Sequence, residues 1–147
     1  MPVIGDTHAS NWGRLQFFKM TQASIPKWQT VTGWVCSGIL ALLFLPSAFF
    51  KIAQPGDFLD GWTKSYPAGA ARPLGLVELT MFVLYLVPKT RYLGGLVMLA
   101  YLGGAVATHL HGEDGKFPIP ILVGIIAWAG LYLRDRKLRA LVPTVAE

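Results

Sequence analysis

The chain has 147 residues, of which 53% are hydrophobic and 14% are charged. Soluble domains usually carry about 25% charged residues, so the composition indicates a single-domain membrane protein. The net charge of +5 would suggest nucleic-acid binding in a soluble protein, but these basic residues lie at the edges of apolar segments, where membrane topology explains them.

The chain begins with a polar segment that contains an amphipathic stretch at 11–20. Trp12, Leu15 and Phe18 share one helical face there, which predicts a short helix lying on the membrane surface. An unstructured tail is the alternative. The layout differs from the basic-then-apolar pattern of a signal peptide, so we expect the segment to remain and assign residues 1–30 to an interfacial, cytoplasmic unit.

Four apolar segments follow and predict an all-α, four-helix transmembrane bundle over residues 31–133. Lipid offers the backbone no hydrogen bonds, so each crossing segment must be helical. A spanning helix needs about 20 residues, which the first and third segments provide, whereas the second and fourth need flanking residues. The segments lie at about 31–53, 73–87, 92–109 and 118–133.

Two connections carry further predictions. The link at 87–91 is short, and its Pro88 ends the preceding helix, so we expect the second and third helices to be antiparallel neighbours. The longest link, 54–73, contains Phe58, Leu59 and Trp62 at helical spacing. It is either a short interfacial helix or lid, or an ordinary surface loop with an aromatic anchor.

The distribution of Lys and Arg predicts the orientation of the bundle. Nine basic residues fall in the N-terminal segment, the second connection and the basic tail at 134–147, against four on the other side. Cytoplasmic loops carry the excess of Lys and Arg. We therefore predict that both termini are cytoplasmic.

Glu78 is the acidic residue within the second apolar segment. A charge at the bilayer centre costs roughly 2.5 to 3.5 kcal/mol on insertion scales, so its presence requires a partner or a function. Gly75, Phe82 and Tyr85 share its helical face, and we expect that face to turn toward the other helices.

Possible partners of Glu78 lie in the same half of the membrane. Lys51 ends the first segment, Thr108 and His109 end the third, and Tyr101 lies deeper. We predict that Glu78 pairs with Lys51, His109 or Tyr101 around an interhelical pocket for a polar headgroup or a proton. A purely structural polar clasp is the alternative. The candidate catalytic residues are Glu78, His109 and Tyr101, and the candidate ligand-binding residues are Lys51, Thr108, Tyr85 and Trp128.

Glycine pairs on the third segment, at 94–95 and 103–104, are expected to let another helix approach closely. Trp128 and Gly124 on the fourth segment are candidates for a wall of the pocket.

Other chemistries find little support in the sequence. His109 and His111 are two residues apart, and metal sites need three or four ligands, so we predict no metal site. GxGxxG, P-loop, HExxH and GxSxG patterns are absent, which argues against bound dinucleotide, P-loop phosphoryl transfer and a Ser nucleophile elbow. The single cysteine, Cys36, cannot form an internal disulfide.

Three stretches resemble the DoxX-like family of small membrane proteins: "FKIAQP", "LGLVELTMFVLYLVPKTRYLGG" and "GGAVATHLH". The resemblance is best over about 33–111. It implies a four-helix protein of the bacterial inner membrane, some of whose relatives are linked with quinone-dependent sulfur oxidation or oxidative-stress partners. Its most specific positions are Lys51, Gly75 with Glu78, Pro88 with Arg91, and Ala105 with Thr108 and His109.

Three functions follow as hypotheses. The first, favoured by the resemblance, is a membrane subunit or enzyme of a redox process that uses a quinone or another lipid-soluble ligand, with a soluble redox partner or a second copy of the chain. The second is a small proton-coupled carrier or permeation path. The third is a scaffold that tethers a cytoplasmic partner through its basic tails.

Overall fold

A computed structural model describes residues 26–141 together with Trp12, Gly13 and Leu15. The predicted amphipathic helix at 11–20 therefore falls largely outside the described residues. The three described positions within it are helical and exposed.

All regular secondary structure in the described part of the chain is helical, which confirms the all-α prediction. Three apolar helical stretches, including the combined stretch Ala68–Leu86, are long enough to cross a membrane. The fourth has 17 residues, about 26 Å at 1.5 Å per residue. The elements are α1 (Lys27–Ala53), α2 (Phe58–Trp62), a 3₁₀ turn (Ala68–Ala70), α3 (Ala71–Leu86), α4 (Arg91–His111), α5 (Pro118–Arg134) and α6 (Arg136–Leu141).

The four long helices form a closed ring. Helix α1 packs against α3 and α5, and α4 packs against the same two helices. We call the end where α1 and α4 finish the loop end, and the end where α1 begins and α5 finishes the tail end. Each connection between successive long helices reverses the chain direction, so neighbouring helices in the ring are antiparallel.

Glycine permits the closest helix approach, between α3 and α4. A Cβ added at Gly94 would collide with the backbone of Tyr85, which confirms the predicted close approach beside the short link. The same prediction for 103–104 is wrong within this chain, because a Cβ added at either glycine would meet no atom within 4 Å. A groove between α4 and α5 lies beside that position instead.

Apolar side chains fill the ring, while the outer faces of the helices are also apolar. Leu42 is 77% exposed and Leu96 is 67% exposed, as expected for helices that face lipid. The buried core includes Leu40, Phe44, Met81, Phe82, Tyr85, Met98, Leu102, Ala127 and Leu131. The bundle is therefore apolar both inside and outside, and its few buried polar groups stand out.

The first part of the segment predicted as a basic tail is ordered against the bundle. Residues Arg136–Leu141 form α6, and Leu138 is buried in the core cluster. Residues 142–147 of that segment lie outside the described residues.

Candidate functional site

A polar cluster joins three helices in the loop-end half of the bundle. The Lys51 Nζ of α1 donates to Glu78 Oε2 of α3 at 2.5 Å and to Ser47 Oγ at 2.6 Å. The Tyr101 hydroxyl of α4 lies 3.4 Å from the same Nζ. We call these four residues the Lys51–Glu78 cluster. The predicted pairing of Glu78 with Lys51 is confirmed.

The cluster is buried in spite of its charges. Glu78 is 2% exposed, which confirms that it faces the other helices. The side chain of Lys51 is 14% exposed. Two opposite charges in contact offset part of each other's desolvation penalty, and the bonds from Lys51 to Ser47 and Tyr101 satisfy further donors. The pair is therefore tolerable in the membrane, where either ion alone would be far less stable.

Gly75 brings the two charged residues together. It lies three residues before Glu78 and so on the same face of α3. A Cβ at Gly75 would stand 2.9 Å from Lys51 Cβ and 3.0 Å from the Ala48 carbonyl oxygen, closer than such atoms normally approach. Because Gly75 has no side chain, α3 can pack closely against α1 next to the Cβ of Lys51.

An aromatic stack lies in the first connection at the loop end. The Trp62 ring lies 5.8 Å from the Phe58 ring and 4.6 Å from the Tyr66 ring, and Trp62 Nε1 donates to the Pro67 carbonyl. Of the two alternatives for this link, the short helix is the one observed, as α2.

His109 and Thr108 do not join the cluster. His109 Nδ1 lies 2.7 Å from Asp114 Oδ2, and the Thr108 hydroxyl donates to the Gly104 carbonyl within its own helix. The Lys116 backbone N–H donates to the other Asp114 oxygen. That bond and His109 hold the pKa of Asp114 below its ordinary value. The contact of His109 with Asp114 therefore stabilises the turn that follows α4.

Tyr85 and Trp128 also lie outside the Lys51–Glu78 cluster, at two separate positions. The Tyr85 hydroxyl donates to the Ala127 carbonyl at 2.8 Å in the tail-end half. Trp128 and Gly124 line the apolar groove between α4 and α5, which encloses about 490 Å³ and also borders Leu102. The structure therefore separates the seven candidate residues into the Lys51–Glu78 cluster, the turn at His109, the Tyr85 contact and the groove.

Among the described residues, no group of three or more His, Cys, Asp or Glu side chains is placed to hold a metal ion.

Asp135 is a buried acid that the sequence reasoning missed. It is 1% exposed, and its Oδ2 lies 2.6 Å from Arg91 Nε at the start of α4. Its Oδ1 accepts the backbone N–H groups of Lys137 and Leu138, so it caps α6. An Asp directly after an apolar helix and before a short helical run is a cap signal that the sequence does contain.

Arg134, the neighbour of Asp135 in the chain, contacts two other helices at the tail end. Its Nη2 donates to the Tyr85 carbonyl at 2.9 Å. Its guanidinium lies 4.8 Å from the Trp34 ring centre and 4.6 Å from the Tyr85 ring centre. Arg134 therefore ties α5 to α1 and α3, in addition to adding positive charge at the membrane edge.

Fold and site together define an all-helical, multi-pass membrane protein with a buried ion pair. The model of the DoxX-like family matches residues 35–130, and the chain belongs to that family. The match contains the whole Lys51–Glu78 cluster and confirms the resemblance seen in the sequence. Neither the curated proteins nor the solved structures gave a match to this chain.

Proposed function

We propose that this protein is a membrane subunit or enzyme of a redox process, and that the Lys51–Glu78 cluster receives the polar head of a quinone-like, lipid-soluble ligand. The observation that carries the proposal is the convergence of Lys51, Glu78 and Tyr101 from three helices inside an otherwise apolar bundle. Ionisable groups within membrane spans commonly mark ligand or proton pathways.

The chemistry of the cluster suits a carbonyl ligand. The Lys51 ammonium and the Tyr101 hydroxyl are hydrogen-bond donors for quinone oxygens, and Glu78 is a carboxylate that can hold or release a proton. Reduction of a quinone to a quinol takes two electrons and two protons. In the proposal the electrons are exchanged with a soluble redox partner, since one cysteine gives the chain no internal dithiol.

The proposal assigns roles to the three candidate residues that contact one another in the cluster. Glu78 and Tyr101 are the proposed catalytic groups, and Lys51 is the proposed ligand-binding group. His109, Thr108, Tyr85 and Trp128 make their described contacts away from the cluster.

The proposal includes a location in the bacterial inner membrane with the tail end in the cytoplasm. Its support is the concentration of positive charge at that end, which includes Lys89, Arg136 and Lys137, all exposed. The positive-inside rule relates such charge to the cytoplasmic face.

Quinone retention tests the proposal. Wild-type protein and the Glu78→Gln variant are purified from the same quinone-containing membranes, and bound quinone per protein is measured by mass spectrometry. We expect at least about tenfold less quinone in the variant, equivalent to about 1.4 kcal/mol. Thr80→Val is the matched control, because Thr80 lies two residues along α3, is exposed, and bonds the Leu76 carbonyl of its own helix.

Three outcomes separate the alternatives. Equal quinone in wild type and Glu78→Gln would contradict the proposal and leave the cluster as a structural clasp. Glu78-dependent flux in sealed vesicles would favour the carrier. A cytoplasmic protein captured only while the basic tails are present would favour the scaffold.

A further inference from the structure

Buried apolar side chains separate the Lys51–Glu78 cluster from the tail end. The aromatic rings of Phe44 on α1 and Phe82 on α3 lie 6.1 Å apart. The other members are Met81 on α3 and Met98 on α4. All four residues are between 0% and 5% exposed, and we call them the apolar layer.

The apolar layer lies between the cluster and the tail end along α3. Glu78 and Tyr85 bracket it on α3 and are seven residues apart, or about 10 Å along the helix axis. Dry apolar constrictions of this kind block conduction because they exclude water.

Three polar contacts lie beyond the apolar layer at the tail end. The Tyr85 hydroxyl donates to the Ala127 carbonyl. Arg134 donates to the Tyr85 carbonyl, and Arg91 pairs with Asp135. These contacts close the tail end instead of leading toward Glu78.

On the other side, the cluster lies near the loop end. Lys51 lies two residues before the end of α1, and its side chain is 14% exposed. The groups that face Glu78 are Lys51 from α1 and Tyr101 from α4. Its described charged and titratable surroundings therefore belong to the loop-end half of the bundle.

We infer that Glu78 exchanges its proton with the loop-end compartment alone. A proton from loop-end water joins the carboxylate to give the neutral acid, and it returns by the same route. If the cluster serves the proposed quinone-like ligand, protons taken up or released there belong to the loop-end side. That consequence rests on the proposed function, but the sidedness itself does not.

Carbodiimide labelling in vesicles with a different pH on each side tests the inference. Dicyclohexylcarbodiimide crosses membranes and adds to protonated carboxyl groups: the acid O–H adds across a C=N bond to give an O-acylisourea, and its acyl group then migrates from oxygen to nitrogen to give a stable N-acylurea, without a leaving group. Vesicles are sorted by protease access to a C-terminal tag, which reports the tail end. Labelled Glu78 is quantified by peptide mass spectrometry after a short reaction in strong buffer.

We expect labelling to increase severalfold when loop-end pH is lowered at fixed tail-end pH, and to stay constant in the reverse experiment. Glu78→Gln confirms the labelled position by removing the signal, and Thr80→Val should label as wild type does. Labelling that follows tail-end pH, responds equally to both sides, or is absent at every pH would overturn the inference. Quinone is omitted, so failure of quinone binding and failure of the sidedness are distinguishable.

Discussion

At the scale of single residues, Glu78 depends on Lys51. A buried ion pair contributes little net stability relative to a well-packed apolar pair, but removal of one partner leaves an uncompensated charge. Glu78 is almost completely enclosed, whereas Lys51 retains some access to the loop end. The two single substitutions should therefore have unequal effects.

Lys51→Met should reduce the free energy of unfolding by about 3 to 5 kcal/mol at pH 7, because Glu78 loses its partner. Glu78→Gln should have a smaller effect, since Lys51 can extend toward water. The double variant Lys51→Met/Glu78→Gln should be more stable than the sum of the single losses predicts. Unfolding of purified protein in mixed micelles measures all four proteins, and strictly additive losses would show that the pair is not coupled.

Asp114 gives a pH-dependent prediction outside the spans. Bonds from the Lys116 N–H and from His109 lower the pKa of its carboxyl group from the ordinary value of 3.8. The ionised carboxylate therefore stabilises the turn at pH values above 3.8, and this contribution is lost as pH falls through the lower folded pKa. Hydrogen exchange of the Lys116 amide should be faster in Asp114→Ala than in wild type at neutral pH. A difference that stays the same across the acid titration of the protein would contradict this.

Residue partners were only partly predictable from the sequence. The cost of a charge in an apolar segment identified Glu78, and depth along antiparallel helices identified Lys51. The same argument from depth in the membrane also predicted His109 as a partner of Glu78. His109 instead contacts Asp114, five residues later in the chain, because a partner in the adjacent turn competes with one on a distant helix. Asp135 was missed because its partner, Arg91, is distant in sequence and adjacent only after the ring closes.

At the scale of helices, Gly75 controls the approach of α3 to α1. Gly75→Ala should lower the free energy of unfolding by about 1 to 3 kcal/mol, because its Cβ would be 2.9 Å from both Lys51 Cβ and Ile52 Cγ1. Gly38→Ala is the matched control, since a Cβ there meets nothing within 4 Å and Ala favours helix at both positions. The measurement is unfolding in mixed micelles. Equal effects at the two positions would show that the close approach is unimportant.

Helix positions follow from hydrophobicity more readily than helix contacts do. The four apolar segments match α1, α3, α4 and α5, although the 3₁₀ turn extends the second stretch back to Ala68. Glycine pairs at 94–95 and 103–104 look equivalent in sequence. They differ because the first lies beside the short link that holds α3 against α4, whereas the second borders the groove.

At the scale of the whole molecule, the apolar layer separates two polar ends. Because the residues of that layer are buried and come from three helices, and apolar constrictions exclude water, we expect sealed proteoliposomes to be no more permeable to protons than protein-free liposomes. An entrapped pH-sensitive dye under an imposed pH gradient measures this. Proton entry that disappears in Glu78→Gln would contradict the prediction and support the carrier hypothesis.

We propose that the Lys51–Glu78 cluster receives a lipid-soluble ligand, and a high-resolution map of the protein in quinone-saturated nanodiscs, with an antibody fragment for alignment, is the decisive test. Head-group density is expected within hydrogen-bond distance of Lys51 Nζ or the Tyr101 hydroxyl. A map in which Lys51 and Glu78 pair as in the free protein, without quinone density beside them, would contradict it.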